Sequence, residues 1–354
     1  MNSIKIGRRV VGDGERVFII AEAGINHNGS LEIAKKLVDA AVDAGVDAIK
    51  FQKRDVKSML TKSAYEKPYT NGGNSFGRTY GEHREKLELS EADFYELKRY
   101  ADEKGIIFFA SPWDEKSADL LDALDVPVYK IGSPDLTNIP LCTYIAKKGK
   151  PIILSTGMSE MWEVEEAVKA ITKYNSQLIL MHCISMYPAP FEELRLNCIN
   201  ILQSKFGVPV GYSGHESGWV ATIAAVSLGA CVIEKHITLD RNMKGGDHKF
   251  SLEPLELKEM VTNIRNVERS LIGFDKYLLQ GEIPFRQKLG KSIVLRRKVK
   301  KGTILKKDML TCKSPAEGVS PMMIENIIGK PVTADLNEDD ILHGSDLKLR
   351  REAS

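Results

Sequence analysis

The sequence has few of the features that mark secreted, membrane-spanning or zinc-stabilised proteins. Its 354 residues contain only five cysteines, which are widely spaced and include no CxxC pair. This usage argues against a disulfide framework and against a structural zinc site. The longest nearly apolar stretch, 220–233, is too short to span a bilayer, and no apolar signal segment opens the chain. We therefore expect a cytoplasmic protein that has no membrane partner.

A strong net charge is also missing. Basic and acidic residues nearly balance, for a net charge of +2, and the charged 28% of the chain mixes both signs. Such a distribution creates no overall field that would favour nucleic acid or an acidic membrane surface. The composition is typical of a soluble enzyme, and the length suits one large domain with one small domain.

Nucleotide-binding fingerprints are absent as well. No GxGxxG follows the first predicted strand, and Gly290-Lys291-Ser292 lacks the upstream glycine of a phosphate loop because Phe285 stands there. What recurs instead is a short apolar strand, then a loop, then an amphipathic segment. We predict eight such strands, at 18–24, 48–53, 106–112, 128–133, 151–157, 178–183, 209–215 and 231–237.

Amphipathic helices are predicted between these strands. One runs from Leu31 to Ala44, with Ser30 as its N-cap and Gly45 at its end, and another spans 161–173. Eight strand-and-helix units within about 270 residues are more typical of a closed barrel than of an open doubly wound sheet. The predicted fold class is α/β, a (β/α)8 TIM barrel followed by a small, mostly β domain.

Polar residues lie at the end of every predicted strand. In a barrel these ends meet at one mouth, where catalytic groups cluster. The two-residue period of a strand places Glu234 and His236 on one face and turns Lys235 toward the helices. The candidate mouth residues are Glu22, Lys50, Gln52, Ser111, Lys130, Ser133, Ser155, Ser185, Tyr187, Ser213, His215, Glu234 and His236.

Two histidines end neighbouring predicted strands. Adjacent strands lie about 4.8 Å apart, so His215 and His236 can converge on one ion that keeps open positions for water and substrate. With imidazole and oxygen donors, Mn²⁺ or Mg²⁺ fits better than a closed zinc site. The alternative is a pair of core histidines that hold no metal.

Cations and hydroxyl groups dominate the rest of the predicted mouth. Lys50 and Lys130 point inward together with the five strand-end serines, and almost no acceptors are expected. This set suits a small polyanion such as a phosphorylated carboxylate. The alternative is a lysine that forms a Schiff base, although nothing in the sequence marks either lysine as desolvated.

The sequence pattern changes after residue 278 to short β-like segments, frequent turns and a run of basic residues. We predict a barrel domain at 1–278, a linker at 279–288 and a small domain at 289–354. Nucleic-acid binding by the small domain is the weaker alternative to a solvated basic face, because the segment has no aromatic residue to stack on a base. Its basic cluster consists of Arg296, Arg297, Lys298, Lys300, Lys301, Lys306 and Lys307.

The chain resembles the sialic acid synthases in seven short motifs. They are AEAGINHNGS (21–30), IKFQK (49–53), YKIGS (129–133), ILSTGM (153–158), CISMYP (183–188), GYSGHE (211–216) and EKHITLD (234–240). The C-terminal segment is similar to the antifreeze-like (SAF) domain that ends those enzymes. Residues 65–90 are similar to the branch that includes the animal N-acetylneuraminate 9-phosphate synthases.

This resemblance implies a transferase that condenses phosphoenolpyruvate with an open-chain N-acetylated hexosamine. It implies that His215 and His236 bind the divalent metal and that Glu22 transfers a proton at the sugar. The positions that match the phosphoenolpyruvate site are Lys50, Lys130, Ser111, Ser133, Ser155, Ser185 and Ser213. Those that match the surroundings of the amino sugar are Glu22, Gln52, Asn74, Tyr187 and Asp247, and Glu234 is also expected to bind substrate.

Two positions depart from many bacterial members of that family. Ser314 stands where they have an arginine that reaches the partner's active site, which puts the usual contact to the acetamido group in doubt, and Ser185 stands where they have asparagine. In the family the small domain covers the barrel of the neighbouring subunit. The resemblance therefore implies a domain-swapped homodimer. Our own hypothesis is that the basic cluster adds positive field above the partner's anionic site.

The acceptor stays open among N-acetylmannosamine, its 6-phosphate and a diacetamido sugar that leads to legionaminic-type products. Two other classes also remain. A metal-dependent aldolase that uses pyruvate would release no phosphate. A non-catalytic carbohydrate-binding or ice-binding relative would bind sugar without His215 and His236.

Overall fold

The protein consists of two compact units. The structure is a computed structural model that describes residues 3–70, 73–273 and 275–348. The first unit spans 1–272 and the second 273–354. The segment 65–90, which we singled out above, includes residues 71 and 72, which lie outside the described residues.

The first unit contains a parallel sheet of eight strands. In chain order they follow a short hairpin (β1, Ser3–Ile6; β2, Arg9–Gly12) and are β3 Phe18–Gly24, β4 Ala48–Lys53, β5 Ile107–Pro112, β6 Tyr129–Ile131, β7 Ile152–Ser155, β8 Leu178–Cys183, β9 Val210–Gly214 and β10 Val232–His236. Hydrogen-bonded neighbours follow the order β5-β4-β3-β10-β9-β8-β7-β6. Because β5 and β6 also lie side by side, the sheet closes on itself. The predicted TIM barrel is confirmed.

Helices alternate with the strands as predicted. They are α1 Leu31–Ala44, α2 Val56–Met59, α3 Lys62–Tyr65, α4 Tyr80–Lys86, α5 Glu91–Glu103, α6 Glu115–Ala123, α7 Ile139–Ala146, α8 Met161–Thr172, α9 Cys198–Phe206, α10 Val220–Ser227 and α11 Pro254–Ser270. In α1 the Ser30 side chain accepts the Ile33 N–H, and Gly45 ends the helix at φ 78°, as its sequence predicts. The long excursion between β4 and β5 carries three short helices before α5.

The hairpin β1–β2 was not predicted. Its strands pair antiparallel around Gly7, and Ile6 and Val11 are fully buried in the same core as the barrel strands. Strands of four residues at a chain end give too short an alternating pattern to be recognised without the surface on which they pack.

The barrel strand β10 is charged on both of its faces. Lys235 and Glu216 are fully buried, and Lys235 Nζ lies 3.1 Å from Glu216 Oε1 and donates to the Glu216 carbonyl oxygen at 2.7 Å. The Tyr212 hydroxyl donates to Glu216 Oε2 at 2.8 Å. Lys235 is absent from the residues that line the mouth, in line with its predicted orientation. The buried ion pair ties the end of β10 to the segment that follows β9.

The second unit is a small β-rich domain with its own core. An antiparallel pair, β11 Ser292–Leu295 and β12 Leu310–Lys313, is joined by irregular segments and by α13 Ile324–Ile327. The predicted basic cluster is exposed, with ion pairs such as Lys300 to Asp335 at 2.6 Å. The last residues of the predicted domain, 349–354, lie outside the described residues.

The predicted linker 279–288 falls within the second unit. It contains a 3₁₀ turn at Gln280–Glu282 and the helix α12 Ile283–Leu289, and the division between the units falls at residue 272. Pro284 lies in the first turn of α12, where a missing N–H costs nothing.

No helix in the described ranges combines the length and the apolar character that crossing a membrane requires.

We predict that Lys235→Met lowers the free energy of unfolding of the first unit by roughly 3–5 kcal/mol, because it leaves Glu216 buried without its cation. Urea unfolding followed by circular dichroism measures the change. The control Lys62→Met removes an exposed lysine that lies 3.9 Å from Glu66 and should leave the midpoint nearly unchanged. Equal effects of the two substitutions would contradict a structural role for the buried pair.

Candidate active site

A cavity of about 570 Å³ opens at the carboxyl ends of the barrel strands. Every site residue predicted from the sequence lines it except Ser185. The predicted lining residues are Glu22, Lys50, Gln52, Asn74, Ser111, Lys130, Ser133, Ser155, Tyr187, Ser213, His215, Glu234, His236 and Asp247. The closed parallel sheet therefore brings these positions together, although they are spread over more than 220 residues of sequence.

Four alternating charges form the floor of the cavity. Lys50 Nζ lies 2.8 Å from Glu22 Oε2 and 3.7 Å from Glu234 Oε2, and Lys130 Nζ lies 3.3 Å from Glu234 Oε1. All four side chains are almost completely buried. The expectation of a mouth with almost no acceptors is therefore wrong. The strand register brings these acceptors to the lysines. Glu22 on β3 lies opposite Lys50 on β4, and Glu234 lies on β10, which pairs with the other edge of β3.

The two carboxyl groups of this floor differ in their affinity for protons. Burial raises the pKa of Glu22; the negative charge of Glu234 adds to the effect, and Lys50 opposes both. Burial would also raise the pKa of Glu234, but Lys130 and Lys50 outweigh it and lower that pKa to about 2. Glu234 is thus a fixed anion, and Glu22 is the carboxyl group suited to hold and release a proton.

The two lysines also differ. The pKa of Lys50 is raised, because its two glutamate neighbours outweigh the burial that would lower it. Burial lowers the pKa of Lys130, and the attraction of Glu234 does not fully compensate. Lys50 is therefore the firmer cation of the floor.

A ring of serine hydroxyls lies beside the lysines. Ser133 Oγ accepts the Gly157 N–H at 3.1 Å, and Lys50 donates to Ser111 Oγ at 3.2 Å. Ser155 Oγ is buried and has no hydrogen-bond partner in the described chain, and Ser185 Oγ, also buried, lies close to the Tyr187 side chain. A buried hydroxyl without a partner, in a cavity that also holds two lysines, is typical of a site that receives an oxyanion.

Ser185 belongs to this ring although it does not line the cavity itself. A Cβ atom added to Gly157 would clash with Ser185 Oγ and would lie 2.7 Å from Ser133 Oγ. The two hydroxyls therefore flank Gly157, and only a glycine leaves them room.

The two predicted metal ligands face each other. The ring centroids of His215 and His236 are 5.4 Å apart. His215 Nδ1 donates to the Ile184 carbonyl oxygen at 2.8 Å, which leaves Nε2 as its free nitrogen. His236 Nδ1 is buried and unpartnered within the described residues, and Asp247 Oδ2 lies 3.9 Å from it.

The protonation of the two imidazoles differs. Burial and the positive charges of His215 and Lys50 hold the pKa of His236 well below its usual value, so this ring is neutral near pH 7. Burial alone would lower the pKa of His215, but the nearby Cys183 side chain outweighs it and the net shift is upward.

Two imidazoles with free nitrogens fit an open metal site. Within the described residues no group of three or more His, Cys, Asp and Glu side chains forms a ligand set, so further ligands would come from substrate and water.

A second layer of contacts leads outward from the floor. Gln52 Nε2 donates to Glu22 Oε1 at 2.8 Å, and Arg54 contacts the Gln52 amide oxygen. Arg54 is buried, forms an ion pair with Glu88 at 2.8 Å and stacks over the Trp113 ring at 4.5 Å. Gln52 and Arg54 therefore connect Glu22 to the outer part of the cavity.

Sequence reasoning missed several of the residues that line the outer cavity. Arg54 and Trp113 directly follow strands, so extension of the strand-end rule by one residue would have found them. His83 and Arg84 lie on α4 in the long excursion after β4, and Lys249 lies in the segment after β10. No strand period marks these positions, because only the tertiary fold brings their segments over the mouth.

The fold and this cavity define a TIM-barrel protein whose strand-end cavity combines buried lysines and glutamates, serine hydroxyls and a pair of histidines. Comparison with known proteins identifies the class more closely. The NeuB family matches residues 37–276, and the SAF domain matches residues 290–348. The chain belongs to the NeuB family and carries a C-terminal SAF domain.

Relatives of known name support this assignment. The N-acetylneuraminate-9-phosphate synthase of Homo sapiens is 43% identical over 349 residues, which cover 96% of this chain and 97% of the relative. The N,N'-diacetyllegionaminic acid synthase of Campylobacter jejuni is 41% identical over 331 residues, covering 93% and 99% respectively. The expectation of a phosphoenolpyruvate-dependent, carbon–carbon bond-forming transferase is thus confirmed.

Solved structures agree. The N-acetylneuraminic acid synthetase of Leptospira borgpetersenii, in complex with citrate, matches with a TM-score of 0.71 and 35% identity, covering 80% of this chain and 96% of that one. The spore coat polysaccharide biosynthesis protein SpsE of Bacillus subtilis matches with a TM-score of 0.66 and 34% identity, over 98% and 99% of the two chains.

We predict that Gly157→Ala raises the KM for phosphoenolpyruvate by roughly tenfold or more while the fold is retained, because the new methyl group displaces two hydroxyls of the serine ring. Steady-state kinetics and circular dichroism measure the two effects. Gly344→Ala is the control, since a Cβ at that position meets no atom within 4 Å. An unchanged KM in Gly157→Ala would show that the serine ring does not hold this substrate.

Proposed function

We propose that the protein condenses phosphoenolpyruvate with the open-chain aldehyde of N-acetylmannosamine or its 6-phosphate. The products would be N-acetylneuraminate or its 9-phosphate, together with inorganic phosphate. The observation that carries this proposal is the composition of one cavity, where a lysine and serine pocket for an oxyanion adjoins two imidazoles and a protonatable glutamate.

The chemistry follows from these neighbours. Carbon 3 of phosphoenolpyruvate forms a bond to the aldehyde carbon, and the aldehyde oxygen takes up a proton. Water then adds to the cation at carbon 2, and one of its protons replaces the proton that Glu22 has given to the aldehyde oxygen. The resulting tetrahedral centre breaks its bond to the phosphate oxygen while the proton of its new hydroxyl passes to the departing phosphate, which leaves a ketone and free phosphate.

We assign each part of the cavity a role in these reaction steps. Lys50 and Lys130, with the serine ring, would hold the phosphate and the carboxylate and stabilise the charge that moves onto the leaving group. Glu22 would be the proton donor to the aldehyde oxygen, since burial raises its pKa and makes it the easier of the two floor carboxyl groups to protonate. Gln52 would keep Glu22 oriented, because its amide donates to the other carboxylate oxygen.

His215 and His236 would hold Mn²⁺ or Mg²⁺. The buried and unpartnered Nδ1 of His236 supports this assignment, because such a nitrogen is otherwise costly to leave without a hydrogen bond. When bound, the ion would polarise the aldehyde.

We predict that phosphoenolpyruvate releases phosphate only when an N-acetylated amino sugar and Mn²⁺ are both present. His236→Ala should reduce turnover by at least about 100-fold and weaken Mn²⁺ binding, which paramagnetic resonance of the free ion measures without turnover. The exposed His343 provides the control, since His343→Ala should change neither quantity.

The outcomes separate the remaining classes. Condensation with pyruvate in place of phosphoenolpyruvate would favour the aldolase. Sugar binding without turnover, unaffected by His236→Ala, would favour the carbohydrate-binding relative. Turnover only with a diacetamido sugar would keep the chemistry and change the acceptor.

We further propose a homodimer in which the SAF domain of one copy serves the barrel of the other. The resemblance to the family supports this arrangement. Ser314, which stands in place of the family's arginine, accepts from Lys291 at 2.6 Å and donates to the Leu289 carbonyl oxygen at 3.1 Å within its own unit.

Sedimentation equilibrium is expected to give twice the chain mass of 39.4 kDa. Mixing His236→Ala with a chain truncated after residue 288 should restore part of the activity, because each would supply what the other lacks. A monomeric mass, or failure of the mixture alongside an active truncated chain, would contradict the arrangement.

A further inference from the structure

The outer end of the cavity holds cations that have no carboxylate partner. Lys50, Lys130 and Arg54 each have a glutamate within 4 Å. Arg84 and Lys249 also line the cavity, yet no carboxylate of the described chain forms an ion pair with either of them. Glutamates of the protein thus compensate the inner cations, whereas the outer cations are available to bind an anionic ligand.

Arg84 is held in a defined position. Its Nε and Nη2 donate to the Tyr80 hydroxyl at 2.9 and 2.7 Å, and its Cζ lies 5.0 Å from the centroid of the Tyr80 ring. Tyr80 packs in turn against Tyr69, which lines the same cavity, with ring centroids 5.2 Å apart. One edge of the guanidinium is thereby fixed, and the remaining N–H groups are left for a ligand. A preorganised guanidinium of this kind is suited to bind phosphate.

His83 adds a neutral donor to the same wall. It is 5% exposed, and its Nδ1 accepts the Phe76 N–H at 3.1 Å, so the hydrogen of the neutral ring is on Nε2. Burial, together with the nearby charges of Arg84 and Lys244, lowers the pKa of His83 to about 4. The ring therefore stays neutral at pH 7 and offers an N–H beside Arg84.

This wall lies in the same cavity as the imidazole pair. Asp247 links the two ends, because its carboxylate lies 3.9 Å from His236 Nδ1 and also experiences the charges of Arg84 and Arg54. In an open-chain hexose the aldehyde and carbon 6 are at opposite ends. A sugar whose aldehyde reaches the histidines therefore directs its sixth carbon away from the floor and toward the outer wall.

We infer that His83, Arg84 and Lys249 form a subsite for a phosphate ester on carbon 6 of the acceptor. A phosphate monoester carries a charge of about −1.5 to −2 at pH 7, which two unpaired cations and a neutral donor can match. The inference rests on the proposed function and refines it. The acceptor is the 6-phosphate of an N-acetylated hexosamine, and the product is a 9-phosphate.

The test compares kcat/KM for N-acetylmannosamine 6-phosphate with that for N-acetylmannosamine, at saturating phosphoenolpyruvate. The natural protein should prefer the phosphorylated sugar by at least about 100-fold. Arg84→Ala should reduce this preference by roughly 10- to 100-fold, mainly through KM for the sugar phosphate, while KM for phosphoenolpyruvate stays the same. Arg84→Lys should show a preference between those of the natural protein and Arg84→Ala, because lysine keeps the positive charge but loses the paired N–H donors of the guanidinium.

Arg78→Ala is the matched control. Arg78 is an exposed arginine six positions before Arg84 and does not line the cavity, so its loss should leave the preference unchanged. Circular dichroism of both variants establishes that each is folded.

Other results would overturn the inference. Equal use of the two sugars, or a preference that survives Arg84→Ala, would remove the subsite and leave the synthase chemistry intact. A raised KM for phosphoenolpyruvate in Arg84→Ala would assign the arginine to the other substrate. Turnover only with a diacetamido sugar would exclude a phosphorylated acceptor. Absence of phosphate release with every sugar would refute the proposed function itself.

Discussion

The site depends on one buried anion, Glu234, held between Lys50 and Lys130. A carboxylate removed from water is stable only if its charges and lone pairs are matched, and separation from either cation would leave an uncompensated charge in the core. Lys50 also pairs with Glu22, so the four groups act as a unit that requires β3, β4, β6 and β10 in their native register. Closure of the barrel and assembly of the floor are therefore the same structural event.

The strand β10 carries charged or polar side chains on both of its faces. Glu234 and His236 face the cavity, while Lys235 faces the other side and pairs with Glu216. Because Glu216 directly follows His215, this pair fixes the relative position of the two strand ends that carry the imidazoles. A charged run within an apolar strand is stable here because each charge finds a partner on its own face of the sheet.

The cavity divides into a floor, to which we assign the condensation, and an outer wall, to which we assign the choice of acceptor. The floor consists of strand-end residues, whose positions the barrel geometry fixes tightly. The outer wall comes from α4 and from the segment after β10, which are free to vary in sequence without disturbing the strands. If the proposed phosphate subsite is correct, this division lets the acceptor change through Arg84 and its neighbours while the residues assigned to the condensation stay in place.

The sequence by itself determined the eight strands, the barrel and nearly all floor residues, because strand period and strand ends are local properties. It also indicated the second domain, although it did not predict the helix Ile283–Leu289, which begins in the expected linker. Only the tertiary structure decided that Glu22 and Glu234 neutralise the lysines, since pairing across strands depends on register. It alone placed His83, Arg84 and Lys249 over the mouth, because contacts between distant loops leave no periodic trace in the sequence.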